Sequence, residues 1–268
     1  MVTHPTDLYN CTAYATIAPT MRMRRSRRLL LASQSPRRRE LLALLGLPFE
    51  VTVADVAEDP LADESPAATV VRLSQAKARA ACSARPECSR GERSRGEHGR
   101  GIRPDVLIIA CDTIVALDGE LLGKPRDAAE ALSVLRRLRG RSHAVFSAVT
   151  LLEPVDDRTS SDVAKTRLAM RTYTDAEMAA YVASGDPLDK AGAYAIQHSG
   201  FHPVAELQGC YTNVMGLPLC HLIRALRAWN IEPPHDVPAA CQAHTGRRCP
   251  VYATILAGRP NRQTTDDP

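Results

Sequence analysis

Residues 29–47 read LLLASQSPRRRELLALLGL and place three consecutive arginines directly behind Ser-Gln-Ser-Pro. Ser35 suits a helix N-cap and Pro36 the first turn, where a missing amide hydrogen costs nothing. Amides exposed at such a terminus, aided by the helix dipole, attract anions. Arginines are disfavoured there, by a few tenths up to about 1 kcal/mol each, unless an anion compensates. The chemistry this arrangement suits is the capture of a polyanion; the rival is a solvated surface cluster with one structural ion pair. At about 100° per residue Arg37, Arg38 and Arg39 fan over roughly 200° of the helix, so they cannot all face one ligand.

The second reactive stretch is DVLIIACDTIVALDGELLGKP, residues 105–125. Its apolar run ends in Cys111-Asp112-Thr113, which puts a carboxylate at the C-terminal end of a strand, where open α/β sheets carry ligand chemistry. A carboxylate among Ile, Ala and Cys must be paired, bound to metal or shifted in pKa; a buried structural aspartate is the alternative. GELLGKP, residues 119–125, is not a Walker loop, because that pattern needs four residues between the glycines and Ser or Thr after the lysine. Lys124 can still reach a phosphate as a point charge. Asp189-Lys190 and Gln197 fall in SGDPLDKAGAYAIQHSG, residues 184–200, and GCYTNVMGLP, residues 209–218, mixes glycines with polar residues. No G-x-S-x-G elbow accompanies the Ser, His and Asp residues. Cys241, His244 and Cys249 are spaced as in a zinc knuckle but lack a second cysteine near the start, with His235 the one residue that could complete the set.

These residues need elements to hold them. Leu29 to Ala32 read as a buried strand, Pro36 to Leu45 as a helix closed by Gly46, and residues 49–53 as a second strand. A helix runs from Ser65 or Pro66 to Cys82; strands at 105–111 and 113–117 lead to a turn at Asp118-Gly119. Asp127 with Glu130, and Thr174 with Glu177, have capping-box spacing ahead of helices closed by Gly140 and Gly185. A half-buried strand at 143–152 and a helix at 218–229 complete the set, an alternation that implies an α/β fold with a mixed sheet.

The chain has 268 residues, 44% of them hydrophobic, and a net charge of +4, which allows a sizeable core in one domain or in two lobes sharing a sheet and does not demand a nucleic-acid partner. No apolar run approaches the roughly 18 residues of a membrane span, and the four apolar residues after the basic stretch at 21–28 are too few for a signal peptide. Eight scattered cysteines suit reduced thiols and a cytoplasmic location. Residues 1–28 read as a flexible basic extension in which Met21 or Met23 could start translation, 83–104 as a flexible insertion and 231–268 as a flexible tail, around a domain at 29–230.

Taken together, LLLASQSPRRRELLALLGLPFEV, IIACDTIVALDGELLGKP, YVASGDPLDKAGAYAIQ and YTNVMGLPL resemble, in order, the motifs of the Maf family of nucleoside triphosphate pyrophosphatases. The resemblance implies an elongated mixed sheet flanked by helices, with a central nucleotide cleft, and hydrolysis between the α and β phosphates. It implies that Asp112 is the catalytic acidic residue, that Ser33, Arg37, Arg38, Lys77, Thr113, Lys124, Lys190 and Gln197 bind substrate, and that Glu58, Asp112 and Asp189 can hold Mg²⁺ or Mn²⁺. Arg37, Thr113 and Gln197 match the subgroup that looks selective for dTTP and UTP. Gln208, where the family commonly has Glu, and Cys111, where a small residue is usual, depart from the pattern. The expected partner is the nucleotide, with no membrane, and a homodimer is left open. The alternatives are the same chemistry on 7-methyl-GTP or CTP, or a nonenzymatic nucleotide or nucleic-acid binder using the basic stretches at 22–28 and 90–103.

Overall fold

The computed structural model describes residues 27–53, 55–59, 61–85 and 106–258. Most of the basic extension, Met21 and Met23, and residues 86–104 of the insertion lie outside the described residues. Among the described residues no helix is long and apolar enough to cross a membrane.

The strands are β1 (Arg28–Ala32), β2 (Phe49–Thr52), β3 (Val106–Leu117), β4 (Glu120–Leu122), β5 (Ser142–Glu153), β6 (Arg158–Met170) and β7 (Val204–Gln208). They form one mixed sheet in the order β2-β1-β3-β5-β6-β7, with β4 beside β3, so the expected mixed α/β fold is the observed one. β1 lies parallel to both β2 and β3; the remaining pairings are antiparallel. The two strands expected at 105–111 and 113–117 are one strand of 12 residues that runs straight through Asp112. β6 and β7 were not expected at all; β6 alternates polar and apolar residues too unevenly to advertise itself, and 12 register pairs with β5 hold it in the sheet.

The helices are α1 (Pro36–Ala43), α2 (Pro66–Ser83), α3 (Ala128–Leu138), α4 (Asp175–Ala183), α5 (Tyr211–Met215), α6 (Leu219–Ala228), α7 (Val237–Thr245) and α8 (Tyr252–Leu256). Ser35 caps α1 as expected, its side chain accepting from the Arg38 amide, and Thr174 and Glu177 close a full capping box on α4. On α3 only half of the box forms: Asp127 accepts from the Glu130 amide, while Glu130 accepts from the amide and guanidinium of Arg126. The C-terminal segment corrects the expectation of a flexible tail from 231. Val237 joins the core beneath α1, and Val251 and Ile255 pack with Cys210 and Cys220, with Cys249 against them.

Alternation along the strands divides the core by face. On one face Leu29, Leu31, Leu107, Ile109 and Cys111 pack beneath α1 and α6; farther along the same face Val115, Leu117 and Val145 pack beneath α3 and α4. Burying each of these aliphatic side chains is worth about 1.5–3 kcal/mol before conformational entropy is charged against it. Leu30, Ala32, Ile108 and Ala110 face the other way, onto α2. Thr113 sits on β3 between Cys111 of one core and Val115 of the next, at the seam of two lobes that share a sheet.

Candidate active site

Two strands border the same edge of β3 without meeting. β1 pairs with it as far as Ala32 opposite Ala110, and the pairing with β4 starts at Val115, opposite Leu122. Among the described residues Cys111–Ile114 have no strand partner on that edge, which leaves a gap in the sheet. Four chain segments open onto it: Ser33 follows β1, Glu58 lies beyond the end of β2, Lys124 follows β4, and Asp112 and Thr113 belong to β3 itself. This is a crevice at the carboxyl end of the parallel strands, the usual ligand position in such sheets. Asp112 is therefore at the end of the parallel unit, although it is in the middle of its own strand.

Because neighbouring side chains on a strand point to opposite faces, Asp112 and Thr113 serve different sides of the gap. On the α2 side Lys77, only 8% exposed, donates to Asp112 Oδ1 at 2.5 Å and to Glu58 Oε1 at 2.6 Å. Lys124 Nζ donates to Glu58 Oε2 at 3.0 Å. Asp112 is 3% exposed, and its Oδ2 is buried without a hydrogen-bond partner among the described residues. Burial opposes ionisation of Glu58, but the ammonium groups of Lys77 and Lys124 outweigh it and hold its pKa at about 2, against an ordinary 4.5. The stability linked to Glu58 is therefore present above pH 4.5 and lost as pH falls through about 2. Glu58→Gln is expected to melt with a shallower dependence on pH across that window than the parent, as thermal unfolding at stepped pH will measure.

On the other side Thr113 Oγ1 accepts from Arg38 Nη2 at 3.1 Å, and Arg38 Nε donates to the Gly216 carbonyl at 2.8 Å. Two of the five N–H donors of Arg38, expected to bind substrate, tie α1 to β3 and to the end of α5. Lys190, also expected to bind substrate, is held by its own segment. It is 7% exposed, and its three N–H donors go to the Asp186 carbonyl at 2.5 Å, Asp186 Oδ1 at 3.0 Å and Asp189 Oδ1 at 2.6 Å. Arg37 Nη2 lies 3.9 Å from Asp189 Oδ2, a loose contact that leaves Arg37 free to turn toward an anion. Ser33 is buried, and its hydroxyl accepts from the Ser35 amide at 3.2 Å. Arg39 and Gln197 are exposed, and no hydrogen bond among the described residues links Gln197 to Thr113 or Arg38.

Residues 37, 112, 124 and 190 are thus joined round one gap. Arg37 meets Asp189, Lys190 holds Asp189, the Gly192 amide donates to the Gly123 carbonyl at 3.0 Å beside Lys124, and Lys124 shares Glu58 with Lys77. Gly192 has φ +71°, and a Cβ there would lie 2.8 Å from Val115, so only glycine allows this approach. The three carboxylates expected as metal ligands do not form one group: Glu58 and Asp112 flank Lys77, and Asp189 sits with Lys190. No cluster of three or more His, Cys, Asp or Glu able to hold a metal occurs among the described residues, those around Cys241, His244 and Cys249 included. A hollow of about 620 Å³ elsewhere on the sheet, lined by residues such as Ala116, Phe146 and Glu206, involves none of the site residues.

Reading the sequence missed Asp186, Ser147 and Asn213. Asp186 accepts from the Tyr181 hydroxyl at 2.7 Å and so fixes Lys190. Ser147 lies on β5 opposite Thr113, and Asn213, wholly buried, donates to the Val145 carbonyl and to Thr166. A mostly apolar strand carries no signal in its sequence that Ser147 would meet Thr113.

Residues 28–229 match the family description "Maf-like protein". Similar chains include a dTTP/UTP pyrophosphatase of Salinibacter ruber, 44% identical over 75% of this chain and 90% of the relative. Another of the same name from Myxococcus xanthus is 43% identical over 77% and 94%, and one from Geobacter sp. strain M21 is 40% identical over 74% and 94%. With the matched region spanning the whole sheet and every residue placed around the gap, the chain belongs to the Maf-like family.

Proposed function

We propose that this chain is a nucleoside triphosphate pyrophosphatase that cleaves dTTP and UTP to the monophosphate and pyrophosphate. The observation that carries this reading is the orphaned Asp112 Oδ2, a buried carboxylate oxygen without a partner among the described residues, on the strand that lines the gap and beside the Lys77 ammonium. The names of the relatives support the choice of substrate.

In this mechanism Lys77 holds Asp112 Oδ1 and keeps the carboxylate in one orientation. Oδ2 takes the proton from a water that attacks the α-phosphorus, and the α–β bridging oxygen leaves with pyrophosphate. Lys124, half exposed and paired with Glu58 among the described residues, swings onto the departing phosphates, and Arg37 does so from the α1 side. Arg38 and Lys190 act by holding Thr113 and Asp189 in place. A divalent cation, Mg²⁺ or Mn²⁺, would be held by Glu58 and would supply charge neutralisation for the triphosphate, leaving Asp112 Oδ2 to act as the base. Thr113 and Gln197 read the base.

The test is a panel of nucleoside triphosphates, with 7-methyl-GTP and CTP included, assayed for pyrophosphate release. Preference for dTTP and UTP is expected. Binding without turnover would replace this reading with the nonenzymatic one.

A further inference from the structure

Thr113 is half-buried at the seam, and its hydroxyl is caught in a chain of hydrogen bonds whose direction can be worked out. A guanidinium can only donate, so Thr113 Oγ1 accepts from Arg38 at 3.1 Å. Ser147, wholly buried, has its Oγ 2.8 Å from Thr113 Oγ1 and 3.3 Å from the Asn213 carbonyl. Two proton arrangements keep the Thr113 hydroxyl donating within the protein. If Ser147 donated to Thr113, the threonine proton would turn to the Gly216 carbonyl at 3.5 Å, which already accepts from Arg38 Nε at 2.8 Å and from the Cys111 thiol at 3.1 Å. Arg38 and the thiol are the nearer donors to that carbonyl, so the 3.5 Å bond is the weakest of the three, and the Asn213 carbonyl would lose the Ser147 donor. If Thr113 donates to Ser147 and Ser147 to the Asn213 carbonyl, every proton has a partner and no acceptor is overfilled.

The second arrangement runs Arg38 to Thr113 to Ser147 to Asn213 and turns the threonine proton away from the cleft. Asn213 is fixed in turn: its side chain donates to the Val145 carbonyl at 3.0 Å and to Thr166 Oγ1 at 2.9 Å, and Thr166 is bonded to both the amide and the carbonyl of Cys210. Gly216 closes the frame at φ +108°, its α-carbon side facing Arg38 and Thr113.

From this geometry we infer that Ser147 is a positioning residue for base choice: it holds the Thr113 proton inward, so that Thr113 meets the base as a hydrogen-bond acceptor. The inference rests on the reading of the chain as a dTTP/UTP pyrophosphatase in which Thr113 faces the base. Uracil and thymine carry N3–H, a donor that satisfies the free lone pair of Thr113. Cytosine carries an unprotonated N3 at the same place, so two lone pairs face each other and the desolvated pair goes unmatched. Purified dTTP, UTP and CTP supply the comparison, and no other ligand is required.

Ser147→Ala frees the Thr113 proton to rotate outward and donate to cytosine N3. The ratio of kcat/KM for UTP to that for CTP is expected to fall about tenfold or more, chiefly because CTP improves. Ser147→Cys, which keeps a side chain but offers only a weak acceptor, is expected to move the ratio the same way and serves if the alanine variant folds poorly. A purely structural role would lower both substrates in parallel. Parallel loss, or a ratio within about twofold of the parent in a folded variant, overturns the inference while leaving the proposed function standing. A parent protein that releases no pyrophosphate from dTTP or UTP overturns both.

Discussion

Asp112→Asn is expected to lower kcat for pyrophosphate release by about 10²-fold or more, with the fold intact and KM little changed. The reasoning starts from the two oxygens of one carboxylate. Oδ1 is engaged by Lys77 at 2.5 Å, and Oδ2 is buried and unpartnered. In the asparagine variant the amide oxygen is drawn to the Lys77 ammonium, and the NH₂ group takes the place of Oδ2. An acceptor that could take a proton from water becomes a donor that cannot. Lys77 keeps Glu58 at 2.6 Å, so no charge is stranded and the loss of stability stays near the cost of one hydrogen bond to a charged group, about 1.5–3 kcal/mol. Steady-state assays with thermal melts measure both quantities. Parent-level turnover in the folded variant would remove Asp112 from the proton transfer.

What could be read before any coordinates was the part of the site written in local pattern. Ser35 and Pro36 announce the start of α1, and the apolar run around Asp112 announces a buried strand. The same pattern misplaced the carboxylate: Asp112 looks like a strand end, yet β3 continues to Leu117, and the true boundary is the end of its neighbour β1 at Ala32. Pairing between strands is a tertiary property and leaves little trace in a single segment.

Charge is legible in sequence, but the commitment of donors is not. Arg38 and Lys190 are cations in family motifs, as are Arg37 and Lys124. Only the structure separates the first two, which share two donors of Arg38 and all three of Lys190 among Gly216, Thr113, Asp186 and Asp189, from the second two, which hold looser or more exposed contacts. The C-terminal segment was misjudged for a related reason. Helices α7 and α8 are short and rich in small and polar residues, and they are ordered by a few anchors, Val237, Val251 and Ile255, whose burial depends on surfaces far away in the chain.

Lys77→Met is expected to be the most disruptive single change at the site, costing about 3–5 kcal/mol of stability as well as turnover. Lys77 lies between Glu58 and Asp112 and touches both within 2.6 Å. Glu58 is partly exposed and retains Lys124, so it can remain charged; Asp112, 3% exposed, is left as a buried carboxylate without its hydrogen-bonded cation. The instability therefore arises from the stranded aspartate more than from the lost methylenes, which methionine largely replaces. That assignment makes a second expectation: Lys77→Met combined with Asp112→Asn should be more stable than Lys77→Met alone, because no uncompensated charge remains. The double-mutant cycle should give a coupling of about 1–3 kcal/mol, while turnover stays as low as in Asp112→Asn. Denaturant unfolding of the four proteins measures the cycle. Strict additivity would mean that Lys77 stabilises the fold through packing and not by neutralising Asp112, and the ammonium would then be available to the substrate phosphates in place of the carboxylate.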